Sequence, residues 1–198
     1  MSLTEDERAL LTRYLQQGVG SSTERLAAMS QTEWGVNFSG TQEMSAVRVL
    51  AWFSQNRQEH ICVKFSSTSD VPLEFMIFFS DTSASAIVDA VTAPHKEQLK
   101  EVADLLFSTI GEVSNILAQN VLACLSDAYD TTIILTVPEV SRGAKAALLG
   151  ESLELYDGRK DALFLANVQL HSEKIAAETS MVIIVNETSL RNLFKSKS

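Results

Sequence analysis

The sequence predicts an α/β (α+β) domain of pseudo-two-fold symmetry, in which a central antiparallel sheet is flanked by helices. Each half, about 1–92 and about 93–198, is predicted as helix, strand, helix, strand, strand and helix. The segment Ile77–Ser83 (IFFSDTS) resembles the segment Ile183–Ser189 (IIVNETS). The long first helices align at an offset of 99 residues. With 198 residues and 45% hydrophobic content, the chain fits one domain built from two similar halves.

The first half opens on a capping box, because Thr4 is followed three residues later by Glu7. The helix that it begins is predicted to run to about Gly18. Gly18 and Gly20 predict a kink or break, after which residues 21–30 resume as a helix. The remaining predicted elements are a short strand at 36–38, two strands at 60–65 and 73–79, and a helix at 82–91.

The second half begins at Pro94, which suits the first turn of a helix. That helix is predicted to run from about 92 to about 127, which is long for a globular domain. A strand at 131–137 then stops at Pro138. The remaining predicted elements are a helix at 143–155, strands at 163–170 and 181–185, and a closing helix at 189–195.

One polar stripe lies on the otherwise apolar long helix of the second half. Ser108, Glu112 and Asn115 have the spacing i, i+4, i+7, which places all three side chains on one face. The opposite face is apolar and consists of Leu99, Leu106, Ile110, Val113, Leu117, Val121 and Cys124. A helix buried through that apolar face must present Glu112 and Asn115 to solvent or to a partner.

The charge and apolar content exclude several partners. The net charge is −9 and the pI about 4.8, which disfavours nucleic acid and anionic membranes because both require clustered Lys and Arg. No apolar run is long enough for a transmembrane span, and the polar N-terminus predicts no signal peptide, so we expect a cytoplasmic protein without membrane insertion. Phosphate-binding, dinucleotide-binding and hydrolase-elbow motifs are absent from the sequence.

The cysteine and histidine residues predict neither disulfides nor a metal site. Cys62 and Cys124 are far apart in apolar segments, and we interpret both as buried reduced thiols. His60, His95 and His171 share no metal-ligand spacing.

The pattern Ser-x3-Glu-x2-Asn, followed by Pro after 22 intervening residues, occurs at Ser108, Glu112, Asn115 and Pro138. It resembles the signature of the CheC/CheX/FliY phosphatases of bacterial chemotaxis. The segment from Glu112 through Ile116 also resembles the family's Glu-x-x-Asn-Ile helix. The opening LTEDER and the later Gly-Val-Gly resemble a CheC amino terminus, and the duplication and length favour a CheC-like chain over the shorter CheX.

The resemblance implies a hydrolase that removes the aspartyl phosphate of a phosphorylated CheY-type response regulator. Asn115 would hold the attacking water in line with phosphorus, as an amide does in GTPases. Glu112 would pair with the regulator's lysine, whereas Ser108 and Pro138 would be structural. The chain would need no cofactor of its own, because the regulator supplies Mg²⁺. A CheD-like protein is a second partner that the resemblance suggests.

The offset of 99 residues places Ala9, Arg13, Gln16 and Ser39 at the four motif positions in the first half. There the carboxylate is replaced by a cation and the proline is absent, so we interpret this first site as degenerate. That loss leaves open a different class of function. The chain could be a non-catalytic interaction module that binds a response regulator, a CheD-like deamidase or the flagellar switch. An exposed glutamate on a helix is usually only a solvated charge, and this is the alternative interpretation of Glu112.

Overall fold

Two long helices, each followed by the same order of shorter elements, divide the chain in half. The computed structural model describes residues 3–67, 69, 71–99, 102–155, 157, 161–173 and 175–195. The first half contains α1 (Glu5–Ser30), β1 (Trp34–Glu43), α2 (Ala46–Phe53), β2 (Glu59–Ser67), β3 (Leu73–Ser80) and α3 (Asp81–Thr92). The second half contains α4 (Leu105–Tyr129), β4 (Glu139–Ala144), α5 (Lys145–Ser152), β5 (Asp161–Ser172), β6 (Ile175–Asn186) and α6 (Glu187–Lys195). The predicted order of elements is therefore confirmed.

The strands of both halves form one antiparallel sheet in the order β1-β5-β6-β3-β2-β4. The two halves meet at its centre, where β3 pairs with β6. The first strand of each half also pairs with a strand of the other half: β1 pairs with β5, and β4 pairs with β2. The sheet order is thus symmetric about the β3–β6 pair, as the repeated sequence predicts.

The burial of the two long helices repeats with the same offset of 99 residues. The buried positions of α1 are Leu11, Leu15, Gly18, Val19, Ser22, Leu26 and Ser30. Their counterparts on α4 are all buried too: Ile110, Ser114, Leu117, Ala118, Val121, Leu125 and Tyr129. The contact between each long helix and the sheet also recurs, since Thr12 meets Thr41 in one half and Gly111 lies beside Val140 in the other.

The sheet separates two hydrophobic cores. The larger core lies between one face of the sheet and the helices α1, α3, α4 and α6, and the smaller core lies under α2 and α5 on the other face. The central strand β3 is buried on both faces: Phe75, Ile77 and Phe79 point into the larger core, and Met76 and Phe78 into the smaller. Its continuous apolar run follows from this two-sided burial.

Of the kink or break predicted at Gly18 and Gly20, the break is wrong, because α1 is continuous from Glu5 to Ser30. Gly18 instead lies where α1 crosses α4. A Cβ atom built on Gly18 would lie 2.3 Å from the Cα atom of Val121 and 2.8 Å from the carbonyl oxygen of Asn120. The glycine is needed for close approach of two helix backbones, and the cost of glycine within a helix is offset by that packing.

The predicted helix from 92 to 127 is also wrong in its first part. α3 ends at Thr92 and is followed by one 3₁₀ turn, Ala93–His95, that contains Pro94. α4 begins only at Leu105, after Asp104 adopts a left-handed conformation with φ 53°. Leu99 therefore lies outside α4. Lys100 and Glu101, which the predicted helix also included, lie outside the described residues.

The predicted strand at 131–137 is displaced in the structure, where the ladder begins at Glu139, immediately after Pro138. Residues 131–138 form no regular secondary structure, and one hydrogen bond between backbone groups, from Thr136 N to Ser66 O (2.9 Å), ties them to β2. The prediction followed the β-branched composition of residues 131–137. Proline at position 138 has no N–H with which to continue a ladder, so the ladder begins after it. The strands β1 and β6 are in turn longer than predicted, and α5 ends at Ser152 in a 3₁₀ turn.

We expect Gly18→Ala to destabilise the protein, because its methyl group would overlap the backbone of α4. Overpacking of this kind costs about 1–3 kcal/mol in the free energy of unfolding, measured by urea denaturation. Gly20→Ala is the matched control, since a Cβ atom there has no neighbour within 4 Å. It should stabilise α1 by roughly 0.5–1 kcal/mol. Equal effects of the two substitutions would contradict the close crossing.

Candidate functional site

The polar stripe of α4 lies on its outward side. Glu112 and Ser108 are exposed and Asn115 is half-buried, whereas the positions between them, such as Val113 and Ser114, are buried. Because α4 packs through the opposite side against α1 and the sheet, its backbone is held rigidly beneath these side chains. The structure therefore presents Glu112 and Asn115 side by side, one turn apart, on a rigid support.

Asn115 and Pro138 line the same groove, although 22 residues separate them in the sequence. The groove has a volume of about 690 Å³ and lies between α4 and the segment 131–138. Pro138 is half-buried, at the point where this segment turns into β4. The structure thus brings together the amide and the proline of the sequence motif. Ser108 and Glu112 are not among the residues that line the groove and lie towards the N-terminus of α4.

The carboxamide of Asn115 is oriented by its neighbour on the next turn of α4. Gln119 Nε2 donates a hydrogen bond of 3.1 Å to Asn115 Oδ1. This bond leaves one lone pair of Oδ1 and both N–H groups of Asn115 available to a ligand or a water. Gln119 was not predicted as a site residue, although its i, i+4 spacing from Asn115 is visible in the sequence.

Glu112 carries a free carboxylate. Within the part of the chain that the structure describes, it forms neither a hydrogen bond nor an ion pair, and the same holds for the Ser108 hydroxyl. An ion pair joins β4 to α3, where Arg142 Nη2 lies 3.0 Å from Asp81 Oδ1 and the Arg142 guanidinium lies over the ring of Phe107 (5.6 Å). Glu112, which has no partner among the described residues, is available to a cation from outside.

An apolar rim borders the groove. Val137 is 82% exposed and Ile134 is 66% exposed, which is unusual for large aliphatic side chains. Both belong to the segment 131–138, whose other apolar residues, Ile133 and Leu135, pack against the larger core. Exposed aliphatic side chains beside a polar site are typical of a surface that a protein partner covers.

The corresponding surface of the first half carries a different charge and a different neighbour. Ala9, Arg13 and Gln16 are exposed along α1. Arg13 is held against Tyr14: Nη2 donates to the phenol oxygen (3.2 Å), and the guanidinium lies 5.0 Å from the ring centre. Tyr14 in turn packs edge-on against Tyr129, with 5.6 Å between the ring centres. Burial, together with a hydrogen bond to Tyr14, raises the pKa of Tyr129 to about 12.

Ser39, at the position of the absent proline, lies within β1. Its hydroxyl donates to the carbonyl oxygen of Asn167 on the neighbouring strand (2.9 Å). It lies in an irregular stretch of β1, between Phe38 and Thr41, where the register with β5 shifts. The next residue, Gly40, has a positive φ of 94°, which glycine adopts readily.

The cysteine and histidine residues are spread through the fold. Cys62 is buried in the smaller core, and burial raises the pKa of its thiol to about 12. Cys124 is only partly buried, which corrects the expectation that both thiols are buried. No group of three or more His, Cys, Asp or Glu side chains among the described residues could hold a metal ion. Within the same residues, every helix is too short or too polar to cross a membrane.

Several solved structures superpose on nearly the whole of this chain. FliY of Thermotoga maritima superposes with a TM-score of 0.76 over 99% of this chain and 98% of its own, at 14% identity. The middle domain of FliM from H. pylori superposes with a TM-score of 0.70 over 98% of this chain and 99% of its own, at 7% identity. The chain has the CheC/CheX/FliY fold. No family model and no curated protein sequence matches it.

The CheC/CheX/FliY fold also occurs in a protein that was solved with a response regulator. The CheX protein in a CheX–CheY–BeF₃–Mg²⁺ complex from Borrelia burgdorferi has a TM-score of 0.50, at 16% identity. That superposition covers 88% of this chain and 98% of the CheX chain. The fold is therefore shared by FliY, by CheX and by the FliM middle domain, and the residues of the site must distinguish among their roles.

Proposed function

We propose that this chain is a chemotaxis protein of the CheC type that hydrolyses the aspartyl phosphate of a CheY-type response regulator. The observation that carries the proposal is the arrangement on α4: Asn115 faces the groove beside Pro138, and the free carboxylate of Glu112 lies one turn away. A rigid helix with an exposed acid and amide can enter a partner's active site without rearrangement.

Asn115 has the chemistry to position water. An amide oxygen accepts from water and an amide N–H donates to it, so one side chain can orient the nucleophile in line with phosphorus. The bond from Gln119 fixes the orientation of this amide before a partner arrives. The regulator contributes the phosphorylated aspartate and Mg²⁺, so the phosphatase needs to supply only positioning.

Glu112 has the chemistry to pair with a lysine of the regulator. Its carboxylate is exposed and has no partner among the described residues, so docking does not first require an internal ion pair to break. A charge-assisted hydrogen bond at the interface contributes about 1.5–3 kcal/mol. Glu112 would therefore act both in the bound complex and in the transition state.

A binding module is the second candidate function. The full-length match to the FliM middle domain supports it, as does a further FliM that was solved in a FliG–FliM complex. In this alternative the α4 surface would bind a regulator or a flagellar switch protein and act by occupancy alone. A CheD-like partner, which the sequence motif also suggests, remains a prediction.

We expect Asn115→Ala to lower the maximal rate of regulator dephosphorylation by roughly a hundredfold, because no amide then holds the attacking water in line with phosphorus. Binding should change little, since the asparagine acts mainly in the transition state. Glu112→Ala should also raise the apparent KM, by about tenfold or more. The measurement is the decay of a phosphorylated CheY-type regulator at several phosphatase concentrations, with binding followed separately.

The double variant Arg13→Ala/Gln16→Ala is the matched control on α1 for the pair on α4. It should leave the rate unchanged, because an exposed cation cannot replace a carboxylate opposite a lysine. None of these exposed or half-exposed changes should alter the free energy of unfolding by more than about 0.5 kcal/mol. If wild type fails to hasten the decay of any regulator from its own cell, the binding module replaces the enzyme. Full activity of Asn115→Ala would refute the water-positioning role alone.

Gln119→Met should lower the maximal rate by about fivefold while leaving KM unchanged. Methionine has nearly the same length but cannot donate the hydrogen bond that orients Asn115, and one such bond contributes about 1 kcal/mol. In the Asn115→Ala background the same substitution should have no further effect on the rate, because no amide remains to be oriented. Additive losses in the double variant would show that Gln119 acts independently of Asn115.

Val137→Asp should raise the apparent KM for the regulator by about tenfold without changing stability, if the rim of the groove is covered on docking. Val47→Asp on α2 is the control: Val47 is 77% exposed, close to the 82% of Val137, but lies on a helix that covers the other face of the sheet. It should leave KM unchanged. Equal changes in KM would indicate a general charge effect.

A further inference from the structure

A polar depression of about 940 Å³ lies away from the α4 groove, on the sheet face that α2 and α5 cover. Two adjacent rows of side chains form its floor. One row consists of Asn167, Ser180 and Phe78, which lie opposite one another on β5, β6 and β3. The next row consists of Asn37, Gln169 and Glu178 on β1, β5 and β6. The side chains in both rows point to the same face because they alternate along each strand.

Lys145, the first residue of α5, supplies the positive charge of the depression. Its ammonium lies 5.2 Å from the ring centre of Phe53 and 5.9 Å from that of Phe78, and it donates a hydrogen bond of 3.1 Å to Ser180 Oγ. Among the described residues, the Lys145 ammonium donates to this hydroxyl alone. Two of the three N–H groups of the ammonium therefore have no acceptor among those residues. Burial lowers the pKa of Lys145.

Glu178 supplies the negative charge one row away. The charge of Glu178 raises the pKa of Lys145 and so opposes the larger, lowering effect of burial. The described residues include no ion pair between the two groups. Glu178 and Ser180 are two residues apart on one strand, which corresponds to about 7 Å. A lysine and a glutamate that face one depression without touching leave room for a ligand between them.

The amides of the floor add neutral donors beside the lysine. Ser180 Oγ donates to Asn167 Oδ1 (3.4 Å), and Asn37 Nδ2 donates to Gln169 Oε1 (3.0 Å). Both bonds occupy the oxygen of an amide and leave the N–H groups of Asn167 and Gln169 free to donate. The half-exposed ring of Trp52, at 42% exposure, adds an apolar wall.

We propose that this depression binds a small zwitterion of the amino-acid type, with its carboxylate on Lys145 and Asn167 and its ammonium on Glu178. A simple anion would satisfy the lysine but would be repelled by the glutamate. A simple amine would have the opposite difficulty. A molecule that carries both charges a few ångströms apart satisfies both groups, and it replaces the water that they would otherwise retain.

The test uses L-alanine as the probe, together with its two halves, propionate without the amine and ethylamine without the carboxylate. The full chain is titrated with each, and backbone amide shifts are followed by NMR. We expect saturable shifts at β5, β6 and the start of α5 with alanine, and binding at least tenfold weaker for either half. This comparison is made on wild type, so it does not depend on the folding of any variant.

Two substitutions then assign the ends of the ligand. Lys145→Met should weaken alanine and propionate by about tenfold and leave ethylamine unchanged, whereas Glu178→Gln should weaken alanine and ethylamine and leave propionate unchanged. Lys96→Met and Glu24→Gln, which change exposed charges elsewhere, are the controls and should have no effect. Absence of saturable shifts with alanine, or propionate binding as tightly as alanine, would overturn the proposal.

Discussion

The close contact between α1 and α4 determines which sides of the two long helices a partner can reach. At Gly18 the backbone of one helix meets the backbone of the other, with no room for a methyl group between them. Each helix is therefore buried on the side that faces its counterpart and the sheet, and the repeated burial pattern follows. Glu112 and Asn115 are presented outward because every alternative rotation of α4 would bury a charge or expose the core.

Most elements were predictable because they carry a local signal, although α2 (Ala46–Phe53) was assigned no range from the sequence. The capping box at Thr4 begins α1 in the structure, and the apolar runs of β2, β3, β5 and β6 are strands. The errors arose where tertiary contacts override local preference. Gly18 is a helix breaker by propensity, yet it is the residue that permits the helix crossing. Residues 131–137 have strand composition, but Pro138 delays the ladder until Glu139.

Only the part of the candidate site that lies on the single helix α4 was predictable from the sequence. The spacing of Ser108, Glu112 and Asn115 defines their common face without knowledge of the fold. The groove beside Asn115 could not be predicted, because its second wall is the segment 131–138, whose course depends on how β4 joins the sheet. The exposure of Ile134 and Val137 follows from that course as well. Long-range placement of this kind leaves no local signal in the sequence.

The pseudo-two-fold symmetry makes the difference between the two helix surfaces informative. The two long helices bury corresponding faces, but the segments beside them differ: residues 131–138 precede β4, whereas their counterparts from Trp34 onward belong to β1. The side chains differ as well: α4 carries Glu112, whose carboxylate has no partner among the described residues, and Asn115 in a groove, whereas α1 carries Arg13 held against Tyr14. A partner whose site presents a lysine would be attracted to α4 and repelled by α1.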